Sequence, residues 1–386
     1  MNVLNRSVFV TKAPRVIKRS ITSFILFLGL LAIAHTSLAS SKRINLGTDS
    51  WVEVGAGLRF DWAAVEDEAP NGDDYSDDFT MNRADVFISG RANRFLEFTL
   101  NTTYDSISED FDLREGIIRF EHSDTLNIWA GRFMAPTDLS SLSTVFHQTR
   151  WFPVSGAFLR DEGVAIWGGL DQGRFQYKAG VFDGFEVASG YDAEDLSMLA
   201  GRFRINFWDP ISGYYTQSTY YGEKNILSAG VSVELQRDAF AEGIGPLAEV
   251  GDFQGVSADV LYEAAASTGL VITFQATAYS YDTDDITITS TSTELAQSSG
   301  FELMGAVLLQ QQNGDSLGGR IQPTISLQSY DLDLSDEDGT RLEFGVNYIL
   351  LGHDAKVSAA FASNDVDTAT GSEDFISFMA GVQLML

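Results

Sequence analysis

The chain has 386 residues, of which 54 are acidic and 25 basic, giving a formal net charge of −29, and it contains no cysteine. This balance excludes a nucleic-acid partner, whose phosphates need a cationic surface. The missing thiols exclude disulfides, a lipid anchor on cysteine, thiolate metal sites and thiol catalysis.

The N-terminus carries Arg6, Lys12, Arg15, Lys18 and Arg19, then an apolar run from Ile21 to Ala34 that closes on Ser37-Leu38-Ala39. Basic residues, an apolar core and a small-x-small end read as a secretory signal peptide over residues 1–39. The remaining stretch, 40–386, has no second apolar run long enough to span a membrane as a helix. It alternates instead. In Ser50–Trp62, Val52, Val54, Ala56, Leu58, Phe60 and Trp62 share one parity, and Glu53, Arg59 and Asp61 the other. Successive side chains of a strand point to opposite faces, so one face suits lipid and the other water.

Further segments follow in pairs: Thr80–Arg91 with Phe95–Tyr104, Asp112–Glu121 with Thr125–Phe133, and Gly163–Leu170 with Arg174–Phe182. Then come Leu196–Trp208 with Ile226–Gln236, Gly255–Ala265 with Leu270–Tyr281, and Phe301–Gln311 with Gly319–Tyr330. Arg341–Leu350 pairs with Ala355–Ala362, and Glu373–Leu386 ends the chain. With Gly213–Gly222 read as a connection the count is sixteen, an even number as closed bacterial barrels have. Connections alternate short and long. The long ones carry acids, as in Ala63–Phe79 with Glu66, Asp67, Glu68, Asp73, Asp74, Asp77 and Asp78. The expected fold is all-β: a 16-stranded antiparallel transmembrane β-barrel over 40–386, with short periplasmic turns and long external loops.

Parity assigns Arg83, Asp85, Arg91, Arg174, Lys178, Arg202, Arg204, Arg341 and Glu343 to the lumen. The connection Met134–Glu162 is less acidic and more apolar than the other long loops. It is expected to fold into the lumen and narrow it, with His147, Arg150 and Arg160 as polar contributors and Asp138 and Asp161 as counter-charges. Twelve of the sixteen arginines after the leader lie between Arg59 and Arg204, which allows an electropositive track inside an acidic protein. Enzyme chemistry finds no support, because there is no Gly-x-Ser-x-Gly, phosphate loop or clustered histidine. No cofactor is expected beyond weakly held Ca²⁺ or Mg²⁺ at the acidic external loops.

Several stretches resemble the phosphate-selective porin O and P family: Gly131-Arg132-Phe133-Met134-Ala135-Pro136, Phe158-Leu159-Arg160-Asp161-Glu162-Gly163, Tyr177-Lys178-Ala179-Gly180-Val181-Phe182-Asp183-Gly184 and Leu342-Glu343-Phe344-Gly345-Val346-Asn347-Tyr348. The resemblance implies a homotrimeric porin whose third external loop enters the pore. It also implies an arginine ladder, for which Arg83, Arg132, Arg160 and Arg202 stand at matching positions. One departure is that no lysine occurs from residue 43 to 177, where phosphate-attracting lysines would serve best. The expected function is passive diffusion of small hydrophilic solutes or ions across the outer membrane of a Gram-negative bacterium, in contact with membrane lipid and lipopolysaccharide. The alternatives are an anion- or phosphate-selective porin and a non-conducting structural or partner-binding barrel.

Overall fold

The computed structural model describes residues 42–72, 74–104, 110–150, 160–185, 197–242, 249–284, 297–311, 318–333 and 335–386. The expected leader and residues 151–159 of the third loop lie outside them. The strands are β1 (Lys42–Asn45), β2 (Trp51–Val65), β3 (Ser76–Arg91), β4 (Leu96–Tyr104), β5 (Phe111–Ser123) and β6 (Leu126–Phe133). They continue as β7 (Asp161–Leu170), β8 (Phe175–Phe182), β9 (Met198–Asn206), β10 (Ile226–Glu242), β11 (Glu249–Ala265) and β12 (Val271–Asp282). The last are β13 (Ser298–Leu308), β14 (Arg320–Leu332), β15 (Glu337–Leu351), β16 (Ala355–Thr368) and β17 (Gly371–Met385).

From β2 to β17 each strand pairs antiparallel with the next, and β17 returns to β2 through Ser377↔Val65 to Met385↔Gly57. The result is a closed barrel of sixteen strands. Closure is obligatory in lipid, where an open edge would leave peptide groups without partners. The short strand β1 was not expected. It pairs with Trp51–Val54 of β2, just beyond the point where Leu386 exchanges backbone hydrogen bonds with Ala56. Thus β1 and β17 lie end to end along one edge of β2 and cover it.

Strand parity holds around the barrel. Val86, Leu100, Ile118, Ile166, Val231, Leu303 and Phe344 are exposed on the outer face. Arg59, Asp85, Glu115, Arg204, Glu302 and Gln383 are buried on the inner one. One end of the barrel holds both ends of the strand array, with tight connections such as Asp171-Gln172-Gly173, all three at positive φ. By the short-turn rule this is the periplasmic end. One connection there breaks the rule: residues 207–225, between β9 and β10, form a long segment that enters the lumen.

An apolar outer belt makes a testable demand. Leu303→Arg, midway along β13, is expected to cost about 2–4 kcal/mol, read by urea unfolding in lipid vesicles. An unchanged midpoint would contradict a lipid-facing belt.

Candidate functional site

Two segments fill the lumen. The first is the third external loop, which the structure places inside the barrel from Met134 to Arg150. Its apolar residues Met134, Leu139, Leu142 and Phe146 are buried. It is compact because Asp138 accepts from the Ser141 backbone N–H (3.0 Å) and hydroxyl (2.6 Å). Burial pushes the Asp138 carboxyl above its ordinary range, and these two bonds oppose the rise. A single helical turn, Val145–His147, follows.

The barrel wall holds this loop mainly through its backbone. Asp259 accepts from the Leu139 N–H (3.1 Å). Glu302 accepts from the Ser140 hydroxyl (3.0 Å) and pairs with Arg150 at 2.6 Å. The carbonyls of Val145, Phe146, Gln148 and Thr149 accept from Arg59 (2.9 Å), Gln383 (2.8 Å), Lys356 (2.5 Å) and Asn347 (2.8 Å). Gly57 leaves room for the loop, since a Cβ there would lie 2.5 Å from the Phe146 ring.

The second segment is the 207–225 connection, rising from the periplasmic end. Glu263 anchors it, accepting from the Thr219 hydroxyl (2.7 Å) and the N–H groups of Tyr220 (3.0 Å) and Gly222 (2.9 Å). The two segments meet inside the lumen. The Tyr214 hydroxyl donates to the Met134 carbonyl (2.8 Å), the Thr216 N–H to Leu142 (3.2 Å) and the Ser218 N–H to His147 (3.2 Å). Tyr214 also stacks on Trp129 at 4.5 Å, within a cluster that includes Phe133 and Phe182. The Tyr215 hydroxyl donates to Glu115 (2.9 Å).

The insert leaves space along the wall formed by β3 to β6. A cavity of about 180 Å³ there is lined by Asp85, Arg114, Glu115, Arg119, His147, Arg160 and Tyr215, among others. It holds three guanidiniums against two carboxylates. Arg160 pairs with Glu115 (2.8 Å), and Arg119 with Glu97 (3.1 Å). Arg83 donates to Thr103 at 3.5 Å, and the Thr103 hydroxyl donates to Asp85 at 2.5 Å. Arg114 faces the lumen although it is adjacent to Glu115, because the β4–β5 register slips there: Asn101 pairs with Glu115 and Thr102 with Leu113. A bulge of this kind re-aims one side chain. A larger cavity of about 710 Å³ opens toward the periplasmic turns, between Glu121, Asn127, Trp167, Gln176 and the 210–213 stretch.

The remaining expected lumen residues separate into groups. Arg91 pairs with Glu97 inside the periplasmic rim. Arg341 donates to Asn364 (2.8 Å) and pairs with Glu343 (2.9 Å) on the inner wall. Arg202 is buried in a two-pronged pair with Asp259 (2.6 and 2.8 Å). Arg204 donates to Gln176 (3.2 Å), and the Lys178 ammonium lies 5.1 Å from the Tyr214 ring centre. Arg150, Asp138 and His147 belong to the insert itself. Arg174 is exposed at a periplasmic turn. Arg132 is a correction: it shares the parity of Leu126 and Ile128 and so stands on the outer face, directly opposite Glu162, with which it pairs at 2.8 Å. Asp161 accepts from the Gly184 N–H (2.6 Å), and its carboxylate converges with those of Glu162 and Asp183. Asp259, Glu263 and Glu302 were not singled out from sequence. Their parity in the strand segments was the available signal.

No family model and no curated protein matches the chain. Among solved structures, it is similar to an anion-selective porin from Comamonas acidovorans, with 14% identity, 88% of this chain and 100% of that one covered, and a TM-score of 0.56. It is also similar to outer-membrane-expressed OmpT of Vibrio cholerae (13% identity, 89% and 100% covered, TM-score 0.55) and to OprB of Pseudomonas putida (8%, 87% and 94%, 0.53). These likenesses establish the fold: the chain is a sixteen-stranded barrel of the outer-membrane porin type.

Glu263→Ala removes the acceptor of three groups of the 207–225 segment. Each buried donor left unpaired costs about 1–3 kcal/mol, so the segment is expected to loosen and single-channel current to rise and flicker. A current identical to that of the parent protein would contradict the anchoring role.

Proposed function

We propose that this barrel is a passive diffusion channel for small hydrophilic solutes that prefers small anions to cations. The observation that carries the reading is the division of lumen charge. On β11 and β13 the acids Asp259, Glu263 and Glu302 are engaged by Arg202, Arg150 and donors of the insert. The cavity on the β3–β6 side keeps an excess of guanidinium over carboxylate. A solute passing along this cavity meets a lining with more guanidinium than carboxylate, and close-range lumen charge decides ion preference in channels.

The acidic external loops act in the opposite direction, attracting cations to the mouth, but exposed charges are screened by salt far more than buried ones. The anion selectivity stated for the Comamonas porin agrees with the reading. Phosphate is not singled out, since the external mouth lacks lysines. A trimer form is described for the Vibrio protein, and we extend a trimeric assembly to this chain. Its outer belt would meet lipid, with lipopolysaccharide at the external rim. Permeation needs no cofactor and no covalent step.

The test is the zero-current potential of the purified barrel in planar bilayers under a tenfold KCl gradient. Chloride preference is expected, growing with ionic strength as the loops are screened, and falling severalfold in Arg114→Glu/Arg160→Glu. Potassium preference at high salt would overturn the reading.

A further inference from the structure

Three separate elements touch at one point near the periplasmic end. His147 comes from the external loop, Tyr221 from the 207–225 segment, and His353 from the turn between β15 and β16. The two imidazole rings meet edge to face at 5.0 Å, and Tyr221 lies 4.8 Å from His353 on the other side. His353 Nε2 is 2.9 Å from the Thr219 carbonyl, its own carbonyl accepts from Gln383 (2.6 Å), and the His147 carbonyl accepts from both the N–H and the hydroxyl of Ser218. The insert thus engages the periplasmic turns through a pair of histidines.

The charges around that pair are mostly of one sign. Lys356 of β16 lies beside both rings, and Arg59 of β2 lies beside Lys356. His147 also borders the cavity that contains Asp85 and Glu115, but Arg114, Arg119 and Arg160 stand there too. Glu263 and Asp354 face Tyr221, and Arg320 donates to its carbonyl (3.5 Å). Two imidazolium ions at this separation would repel each other and Lys356, and no carboxylate is hydrogen-bonded to either ring among the described residues.

We propose that the His147–His353 contact is an acid-sensitive latch: at neutral pH it holds the loop insert against the periplasmic turns, and on protonation it releases the insert and widens the channel. Burial and Lys356 hold His147 down at about 4, and burial, His147 and Lys356 hold His353 down at about 3. Both lie below the ordinary histidine value of about 6.5, so the released state binds protons more readily than the docked one. Docking is therefore fully favoured above that ordinary value and weakens as pH falls from it toward the docked values. Each ring shifts the docked-to-released ratio by up to about tenfold per pH unit in that window.

The latch rests on the channel reading for its consequence but is read out without current. Near-ultraviolet circular dichroism follows the Trp129–Tyr214 stack, and bilayer recordings follow conductance. Between neutral pH and about pH 4, the full-length barrel is expected to lose near-ultraviolet signal and gain conductance, whereas His147→Gln/His353→Gln stays flat in both. Ser143 and Thr216 face each other across an isolated bridge between the two segments, and the chain has no other cysteine. A Ser143→Cys/Thr216→Cys barrel should therefore resist acid when oxidised and respond when reduced, within one folded variant. A spectral change with no conductance at any pH would support the latch and sink the channel reading. An unchanged spectrum in the parent protein, or the same transition in the double glutamine variant or the oxidised barrel, would overturn the latch.

Discussion

Irregular backbone inside a membrane barrel must find a hydrogen-bond partner for each N–H and C=O group that it hides from water. The organisation of this lumen follows from that requirement. Residues 134–150 have little regular structure, so their peptide groups are matched by side chains of the wall. Four consecutive or near-consecutive carbonyls go to Arg59, Gln383, Lys356 and Asn347, and the Leu139 N–H to Asp259. The 207–225 segment meets part of the same requirement with one carboxylate, Glu263, which takes three of its donors, while Gln176, His353 and Arg320 serve its Gly213, Thr219 and Tyr221 carbonyls. Where the segments touch, they satisfy each other.

This pairing has an electrostatic consequence. A lumen acid that receives N–H donors or an arginine is largely withdrawn from the field that a permeating ion meets. Asp259, Glu263 and Glu302 are used in this way on β11 and β13, and Glu97, Glu115 and Glu343 likewise pair with Arg119, Arg160 and Arg341. The guanidiniums of Arg114, Arg119 and Arg160 lie across the lumen, beside the remaining space. The protein carries a net −29, while the lining of the cavity beside β3 to β6 has three guanidiniums, Arg114, Arg119 and Arg160, against two carboxylates, Asp85 and Glu115. External loops determine the first quantity and the anchoring of the insert determines the second.

Much of this was legible from residue order. Alternation in segments such as Ser50–Trp62 located the strands and their faces, because lipid and water impose opposite demands at a period of two. The apolar character of Met134–Glu162 pointed to a loop inside the barrel. Parity fails where geometry is not strictly alternating, and Arg114 reaches the lumen only through a bulge. Arg132 is the opposite case: parity with Ile128 sends it out, and only the motif resemblance points it inward. The β9–β10 segment was missed for a different reason. Sequence identifies Gly213–Gly222 as a connection, which it is, but its location depends on partners far away in sequence: Glu263, Met134 and His147. Its low charge and four tyrosines gave the same compositional signal as the third loop. The short β1 escaped because four residues carry too little pattern.

The most direct measurement of this account is the ion preference of a barrel in which residues 211–222 are replaced by a tight turn. Removing the segment would expose Glu263 and unfasten the loop that covers Asp259 and Glu302. The account predicts higher conductance together with a shift of the zero-current potential toward potassium. A larger conductance with chloride preference unchanged, or no change in either quantity, would contradict the claim that the insert sets channel charge by engaging the acids of one wall.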